Sequence, residues 1–395
     1  MKRVLPVIVI SQFFCTSLWF AGNGVMSDLN ATFGLGENAL SMITSMVQFG
    51  FISGTLVFAI LSIADRFSPS KVFLICAILG AISNLSVTWS GNSYFTILAF
   101  RFFTGFFLAG IYPVGMKIAA DHFEKGLGKS LGYLVGALVV GTALPHLLKD
   151  LKGNLPWESV LYATSALALL GGVMMYALVP DGPYRKATQK FEPTAIKKVF
   201  AKKSFRAAAF GYFGHMWELY AFWAFVPVML QLFAELNPDV YFSVPLVSFL
   251  VIGIGGIGCV VAGYLAQSYK TKSVAFAALL LSGMCCVVSP LVFSVPSLFV
   301  MIAFLLFWGL TVIADSPLFS TLVAQNAPPE LKGTALTIVN SIGFFISILS
   351  IQLLDFLRIW SDSLFVIATL AIGPLLGLVA LSGKKTMKSH NHSKK

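Results

Sequence analysis

The chain has 395 residues, of which 57% are hydrophobic and 11% charged, with a mean hydropathy of +0.85. A soluble domain carries about 25% charged residues, so a water-facing surface cannot be assembled from this composition. The formal net charge of +11 raises nucleic acid as a partner, but the placement of the charges along the chain excludes it.

Lys2-Arg3 and the apolar run from Val4 to about Ala21 have the outline of a secretory leader. No small-x-small cleavage site stands out, and the run is read as an uncleaved first helix. Apolar runs of about 20 residues then recur, each long enough to cross a hydrocarbon core of about 30 Å. The expected spans are 4–27, 40–62, 71–89, 93–118, 127–149, 157–179, 206–233, 244–267, 272–291, 297–323, 333–354 and 361–382. The fold class is therefore an all-α membrane protein with twelve transmembrane helices.

With the amino terminus inside, all but four of the 27 Lys and Arg residues fall on the cytoplasmic side. Lys149, Lys152 and Arg358 fall in outer loops, and Arg101 lies within a span. This asymmetry fixes orientation and says nothing of nucleic acid. It predicts a multi-pass protein of the plasma membrane (the inner membrane of a bacterium) with both termini cytoplasmic. The lipid bilayer is its surroundings, a monomer its expected state, and no cofactor is called for. All five cysteines fall in predicted spans without metal-ligand spacing, as small packing residues do.

Most connections are short, which favours antiparallel neighbours. The exception is the basic, proline-punctuated stretch 181–205. It divides the chain into a bundle over 1–180 and another over 206–383, with a basic tail at 384–395. The two blocks also echo one another. "GIYPVGMKIAADHFEKGLGKSLGY" (Gly110–Tyr133) and "ADSPLFSTLVAQNAPPELKGTALT" (Ala314–Thr337) each carry an early proline, Pro113 and Pro317. Each restarts at a Gly-x-Ser/Ala-Leu step, Gly128 and Gly333. Duplicated six-helix bundles leave such a repeat.

"LSIADRFSPSK" (61–71), between the second and third spans, resembles the loop motif of the major facilitator superfamily, with its Asp-Arg pair at Asp65-Arg66. Ala64, Ser68 and Pro69 stand where that motif has other residues, and Lys71 keeps its basic end. "LAFRFFTGFF" (98–107) is similar to the family's fourth-helix motif at Arg101 and Gly105. "GYLVGALVVGTALP" (132–145) has the glycine spacing of the antiporter motif without its Gly-Pro, and "QSYKTKS" (267–273) has lost the loop acid. The resemblance implies two pseudo-symmetric six-helix bundles that alternate access to a central cavity lined by helices one, four, seven and ten. It also implies a cytoplasmic gate at Asp65 and Arg66.

An unpaired charge at bilayer depth costs about 2.5–3.5 kcal/mol, so it is retained only against a cavity or a partner. Arg101, Glu218 and Asp315 lie deep in predicted spans, and Lys117 lies near a span end where it can snorkel. Around "GHMWELYAFW" (214–223), Gly211, just before it, and Gly214, His215, Glu218 and Phe222 fall on one helical stripe. Arg101, His215, Glu218 and Asp315 are thus the expected substrate and coupling residues. The carboxylates and the imidazole are groups that can exchange a proton. The same residues also fit a packing role: Glu218 bonded to His215 or a neighbouring helix, and Arg101 neutralising Glu218 or Asp315. Pro317 frees the carbonyl of Ile313 beside Asp315, a setting for a cation or a proton.

Gly253-Ile254-Gly255-Gly256-Ile257-Gly258 matches a dinucleotide fingerprint by letter alone. Without a βαβ context it reads as a helix contact. His215-x-x-Glu218 supplies two ligands, which make no metal site, and the tail histidines His390 and His392 sit among lysines. The expected function is secondary active transport of a small solute by alternating access, proton coupled, and no enzyme activity is expected. The alternatives are a divalent-metal or drug exporter and a passive facilitator or channel. A membrane enzyme using His215 and Glu218 would need a nucleophile or metal that the sequence does not display.

Overall fold

The computed structural model describes residues 4–123, 127–185, 192, 194–361 and 364–382. The basic tail with His390 and His392, and part of the linker, lie outside them. Among the described residues, eleven helices are long and apolar enough to cross a membrane. They are α2 (Ala39–Ile60), α3 (Pro69–Ser86), α4 (Tyr94–His122), α5 (Ser130–Leu151), α6 (Glu158–Leu178) and α7 (Lys203–Leu236), then α8 (Val244–Ser268), α9 (Thr271–Phe293), α10 (Leu298–Asn326), α11 (Pro329–Trp360) and α12 (Phe365–Ser382). The first pass, α1, is shorter because it is broken. It runs as Val4–Thr16, turns over 17–20, and resumes as Ala21–Gly24 and Met26–Phe33.

Observed ends fall close to the expected ones, except where a helix runs on beyond its apolar core. α11 continues to Trp360, which puts Arg358 in its last turn and not in a loop. The described residues of the linker include a short helix, Ala195–Ala201, with Ala195 and Val199 buried. Starts follow local chemistry. Ser93 and Thr96 form a reciprocal capping box at α4, and Ser243 caps α8 by accepting from the Leu246 N–H. Outward faces are apolar: Phe95 is 78% and Phe299 82% exposed, positions that lipid would cover.

α1–α6 pack chiefly among themselves, as do α7–α12, which gives two six-helix bundles. The bundles meet along two seams, α2 on α11 and α5 on α8. Glycine sets the closest approaches. A Cβ at Gly105 of α4 would stand 1.9 Å from the Val47 carbonyl oxygen of α2. One at Gly309 of α10 would stand 2.0 Å from the Val251 carbonyl oxygen of α8. The two positions are matched by the repeat. The glycine run 253–258 is likewise a helix contact: a Cβ at Gly258 would meet the Leu310 carbonyl oxygen at 2.1 Å.

α4 and α10 break at matching places. In α4 residues 109–111 leave the helix before Tyr112-Pro113, and in α10 residues 313–315 leave it before Ser316-Pro317. Each proline sits in the first turn of the resumed helix, where its missing N–H costs nothing.

Candidate functional site

Arg101 is fully buried inside the N-terminal bundle. The α1 break explains how. Turning the chain at 17–20 frees carbonyls that a continuous helix would use, and the guanidinium takes two of them. Nη2 donates to the Trp19 oxygen at 2.6 Å and the Leu18 oxygen at 3.2 Å. Nη1 donates to Asn84 Oδ1 of α3 at 3.0 Å. Asn84 in turn donates to Ser165 Oγ and Thr164 Oγ1 of α6 at 2.9 and 3.2 Å. Arg101 therefore pins α1, α3, α4 and α6 together. It does not reach Glu218 or Asp315, and among the described residues no carboxylate pairs with it.

The α7 stripe turns into the C-terminal bundle. Helical spacing groups Gly211, Gly214, His215, Glu218 and Phe222 on one face but does not say which neighbour that face meets. The neighbours are α9, α10 and α12. A Cβ at Gly211 would meet Phe319, one at Gly214 would meet the Gly373 carbonyl, and Phe222 packs on Trp308 with centroids 4.5 Å apart. His215 and Glu218 diverge and do not bond each other. His215 Nδ1 lies 2.8 Å from Asp315 Oδ1, with both side chains 1% exposed. Glu218 Oε1 accepts from the Trp308 indole N–H at 2.6 Å and the Cys286 thiol at 3.3 Å, and Oε2 accepts from the Ser282 hydroxyl at 2.9 Å.

The Ile313 carbonyl, expected to stand open beside Asp315, accepts from the Ser316 N–H at 3.1 Å and the Cys259 thiol at 3.5 Å. Among the described residues no three His, Cys, Asp or Glu side chains gather as metal ligands.

At the α2–α3 connection Asp65 Oδ1 pairs with Lys117 Nζ of α4 at 2.9 Å. Lys117 also stands 3.7 Å from Asp121, so it is a bridge and not a snorkelling end. Arg185, which the sequence did not single out, donates to the Asp65 and Phe67 carbonyls at 2.9 and 2.7 Å and pairs with Asp181 at 2.9 Å. Arg66 is exposed.

Two hollows lie between the bundles, and neither is lined by Arg101, His215, Glu218 or Asp315. A cavity of about 510 Å³ opens at the end of the molecule away from the α2–α3 connection, here called the distal end. It lies between the bundles, with Asn23, Glu37 and His146 on one wall and Pro227, Val244 and Arg358 on the other. A smaller one of about 180 Å³ lies at the proximal end between α2, α4 and α11 and touches Asp65 and Lys117.

Between the two ends the bundles close on an aromatic layer. Trp19 of α1 and Phe51 of α2 pack on Tyr220 of α7 and Phe344 of α11, with centroids 4.7–5.8 Å apart. Distal to this layer, the α2–α11 seam is a polar ladder. Ser41 donates to Asp355 at 2.6 Å, Gln352 to Ser45 Oγ at 2.9 Å, and Ser347 to Gln48 Oε1 at 3.0 Å. The signal for both was present as an aromatic-rich α7 and as polar residues at three- and four-residue steps on α2. Neither pattern names its partner 300 residues away.

Residues 8–351 match the sequence model of the Major Facilitator Superfamily. The chain belongs to that superfamily. It is similar to the "Niacin transporter NiaP" of Acinetobacter baylyi, 30% identical over 175 residues, which are 37% of this chain and 39% of that protein. It is also similar to "Uncharacterized protein Cj0987c" of Campylobacter jejuni, 26% identical over 299 residues, covering 71% of this chain and 86% of the relative. The fold is shared with the human organic anion transporter MFSD10 (TETRAN) at a TM-score of 0.70 and 15% identity, over 96% of this chain and 99% of that one. It is shared too with a bacterial homolog of the human lysosomal transporter Spinster in an inward-facing, unoccupied conformation. There the TM-score is 0.69 at 15% identity, over 96% and 94% of the two chains. The chain is thus a multi-pass membrane protein of a transporter superfamily, a family of transporters and not of enzymes.

Proposed function

We propose that this member of the superfamily is a secondary active transporter. It moves a small solute across the plasma membrane by rocking a bundle of residues 1–180 against a bundle of residues 206–383, joined by the cytoplasmic linker 181–205. Both termini lie in the cytoplasm, which makes the distal cavity the outer vestibule; the crowding of Lys and Arg on the other side supports this. Arg101 serves as an architectural pin, and Asp65, with Lys117 in place of the exposed Arg66, forms the cytoplasmic gate. The names of its relatives make nicotinate and other organic anions the first solutes to test.

The driving force is a proton gradient carried by His215, Asp315 and Glu218. The observation that carries this reading is the wiring of Glu218. Ser282 Oγ lies 2.9 Å from Glu218 Oε2 and 3.3 Å from the Leu279 carbonyl oxygen. An ionised Glu218 accepts from the Ser282 hydroxyl. A protonated one donates to that oxygen while the hydroxyl hydrogen turns to Leu279. Both protonation states keep a full set of hydrogen bonds, which a purely structural carboxylate does not need. One turn away, the His215–Asp315 pair accepts or releases a proton at the α10 break and so biases how α7 and α10 pack.

The test is uptake into proteoliposomes under an imposed pH gradient, beside solute counterflow at equal pH. Glu218→Gln is expected to abolish pH-driven accumulation and to preserve counterflow. Unchanged accumulation would remove Glu218 from the coupling mechanism, and loss of both activities with intact folding would assign it to solute translocation itself. A channel shows no counterflow, so the wild-type trace also separates carrier from pore.

A further inference from the structure

The distal cavity contains polar groups that the fold leaves without partners. Asn23 is 6% and His146 2% exposed, and both line the cavity. The Thr44 hydroxyl donates to the Leu40 carbonyl at 2.7 Å, so towards Asn23, 2.7 Å away, it can only accept. That fixes the amide orientation. Asn23 Nδ2 faces Thr44, and Asn23 Oδ1 is left as a buried acceptor with no donor. His146 Nε2 is buried without a partner as well.

Arg358 stands on the opposite bundle. Its Nη2 lies 3.2 Å from Asp355, while its Nε is buried with no acceptor. Glu37, on the same bundle as Asn23, enters none of the ion pairs among the described residues. Lys149 is occupied by Asp28. The open chemistry is therefore divided by bundle: an acceptor and a carboxylate on the N-terminal side, a guanidinium donor on the C-terminal side. Pro227 and Val244 supply apolar wall on the Arg358 side.

We propose that this cavity binds a small zwitterion with an apolar side group. Its ammonium is held by Asn23 Oδ1 and Glu37, and its carboxylate by Arg358, with His146 completing whichever end reaches it. A volume of about 510 Å³ accommodates such a molecule with room for water. A solute charged oppositely at its two ends ties one bundle to the other across the cavity, which a singly charged solute does not. The proposal deepens the transport reading, on which the purpose of the site rests but not the binding itself.

The experiment is a titration of the detergent-purified full chain with leucine and phenylalanine, followed by the methyl ester and the N-acetyl form of each, read by calorimetry. The free amino acid is expected to bind at least about tenfold more tightly than either derivative. Glu37→Gln combined with Asn23→Leu should erase the preference over the N-acetyl form. Arg358→Gln should erase the preference over the ester. Glu37 and Arg358 lie at the cavity wall whereas Asn23 is buried, so the melting temperature of each variant is measured as well, and an unchanged value marks its binding loss as local.

Equal affinity for the free and N-acetyl forms, or no binding of any free amino acid, overturns the proposal. If proteoliposomes still carry nicotinate in that case, the transport reading survives without it. Zwitterion binding without counterflow of any solute would uphold the site and sink the transport reading.

Discussion

At the break in α4 the residue before Tyr112-Pro113 is Ile111; at the matching break in α10 the residue before Ser316-Pro317 is Asp315. Both are fully buried. Counting back by the same offset, Arg101 of α4 corresponds to Leu305 of α10, again both fully buried. The glycines between, Gly105 and Gly309, make the same close contact with a carbonyl of the neighbouring helix. The repeat has thus kept its backbone and exchanged its charges. The N-terminal bundle holds a cation whose hydrogen-bond acceptors are backbone carbonyls and an asparagine, groups that do not titrate. The C-terminal bundle holds carboxylates facing an imidazole, an indole, a hydroxyl and a thiol. The first centre offers only a cation and the second offers groups that exchange protons, and the proposed division into architecture and coupling rests on that difference.

The strongest way to break this contrast is at Arg101. Arg101→Met leaves Asn84 Oδ1 and the Trp19 carbonyl without a donor in the bundle core, and the Leu18 carbonyl with only the Ala21 N–H at 3.5 Å. Each buried orphan costs about 1–3 kcal/mol. Against a typical total of about 5–15 kcal/mol, little folded protein is expected, as fluorescence-detected size exclusion of the membrane extract would show. A well-folded Arg101→Met protein that fails only in transport would move Arg101 into the transport machinery and end the division of labour.

Asp315→Asn probes the other centre and should do the reverse. The amide keeps an oxygen for the His215 ring, so melting should change little. The proton site is gone, and pH-driven accumulation should fall about tenfold or more, within the 1–3 kcal/mol typical of coupling between sites. If accumulation persists while the protein melts early, Asp315 is a second pin and the two bundles do not differ in kind.

Much of this was legible before any coordinates. Hydropathy placed twelve passes because a lipid-spanning helix must be long and apolar, and Pro113 and Pro317 marked the internal repeat, although the paired breaks beside them were read only from the structure. The buried ions were legible too, since charges are rare at that depth. Their partners were not. A helical stripe tells that His215 and Glu218 share a face, yet rotation about the α7 axis decides whether that face meets the other bundle or its own. It meets its own, and the two side chains reach different helices. The α1 break was missed because residues 17–20 are Ser-Leu-Trp-Phe, apolar and free of proline or glycine. The turn is imposed by tertiary contacts and by Arg101 taking the freed carbonyls, which no local propensity records. The distal cavity was invisible for a similar reason: Asn23, Glu37, His146 and Arg358 are scattered over the chain and lie near expected loop ends.

The mildest expected effect is at the proximal edge, where the bundles differ once more. The α2–α3 connection has Asp65; the corresponding α8–α9 connection, "QSYKTKS", has no acid. Asp65 meets Lys117 at 2.9 Å with both side chains just under one-fifth exposed, so solvent screens the pair only in part. Removing its charge by Asp65→Asn weakens the tie to Lys117, and Arg185 still holds the Asp65 carbonyl from the linker side. An exposed or half-exposed pair is worth up to about 1 kcal/mol, which corresponds to cycling slowed or quickened about threefold to fivefold. Counterflow rates should therefore shift by that factor while the order of preference among solutes stays fixed, because no cavity-lining group of the distal site is touched. A change in that order would mean that the proximal cavity, which Asp65 and Lys117 line, binds solute itself and is more than the lock on its exit.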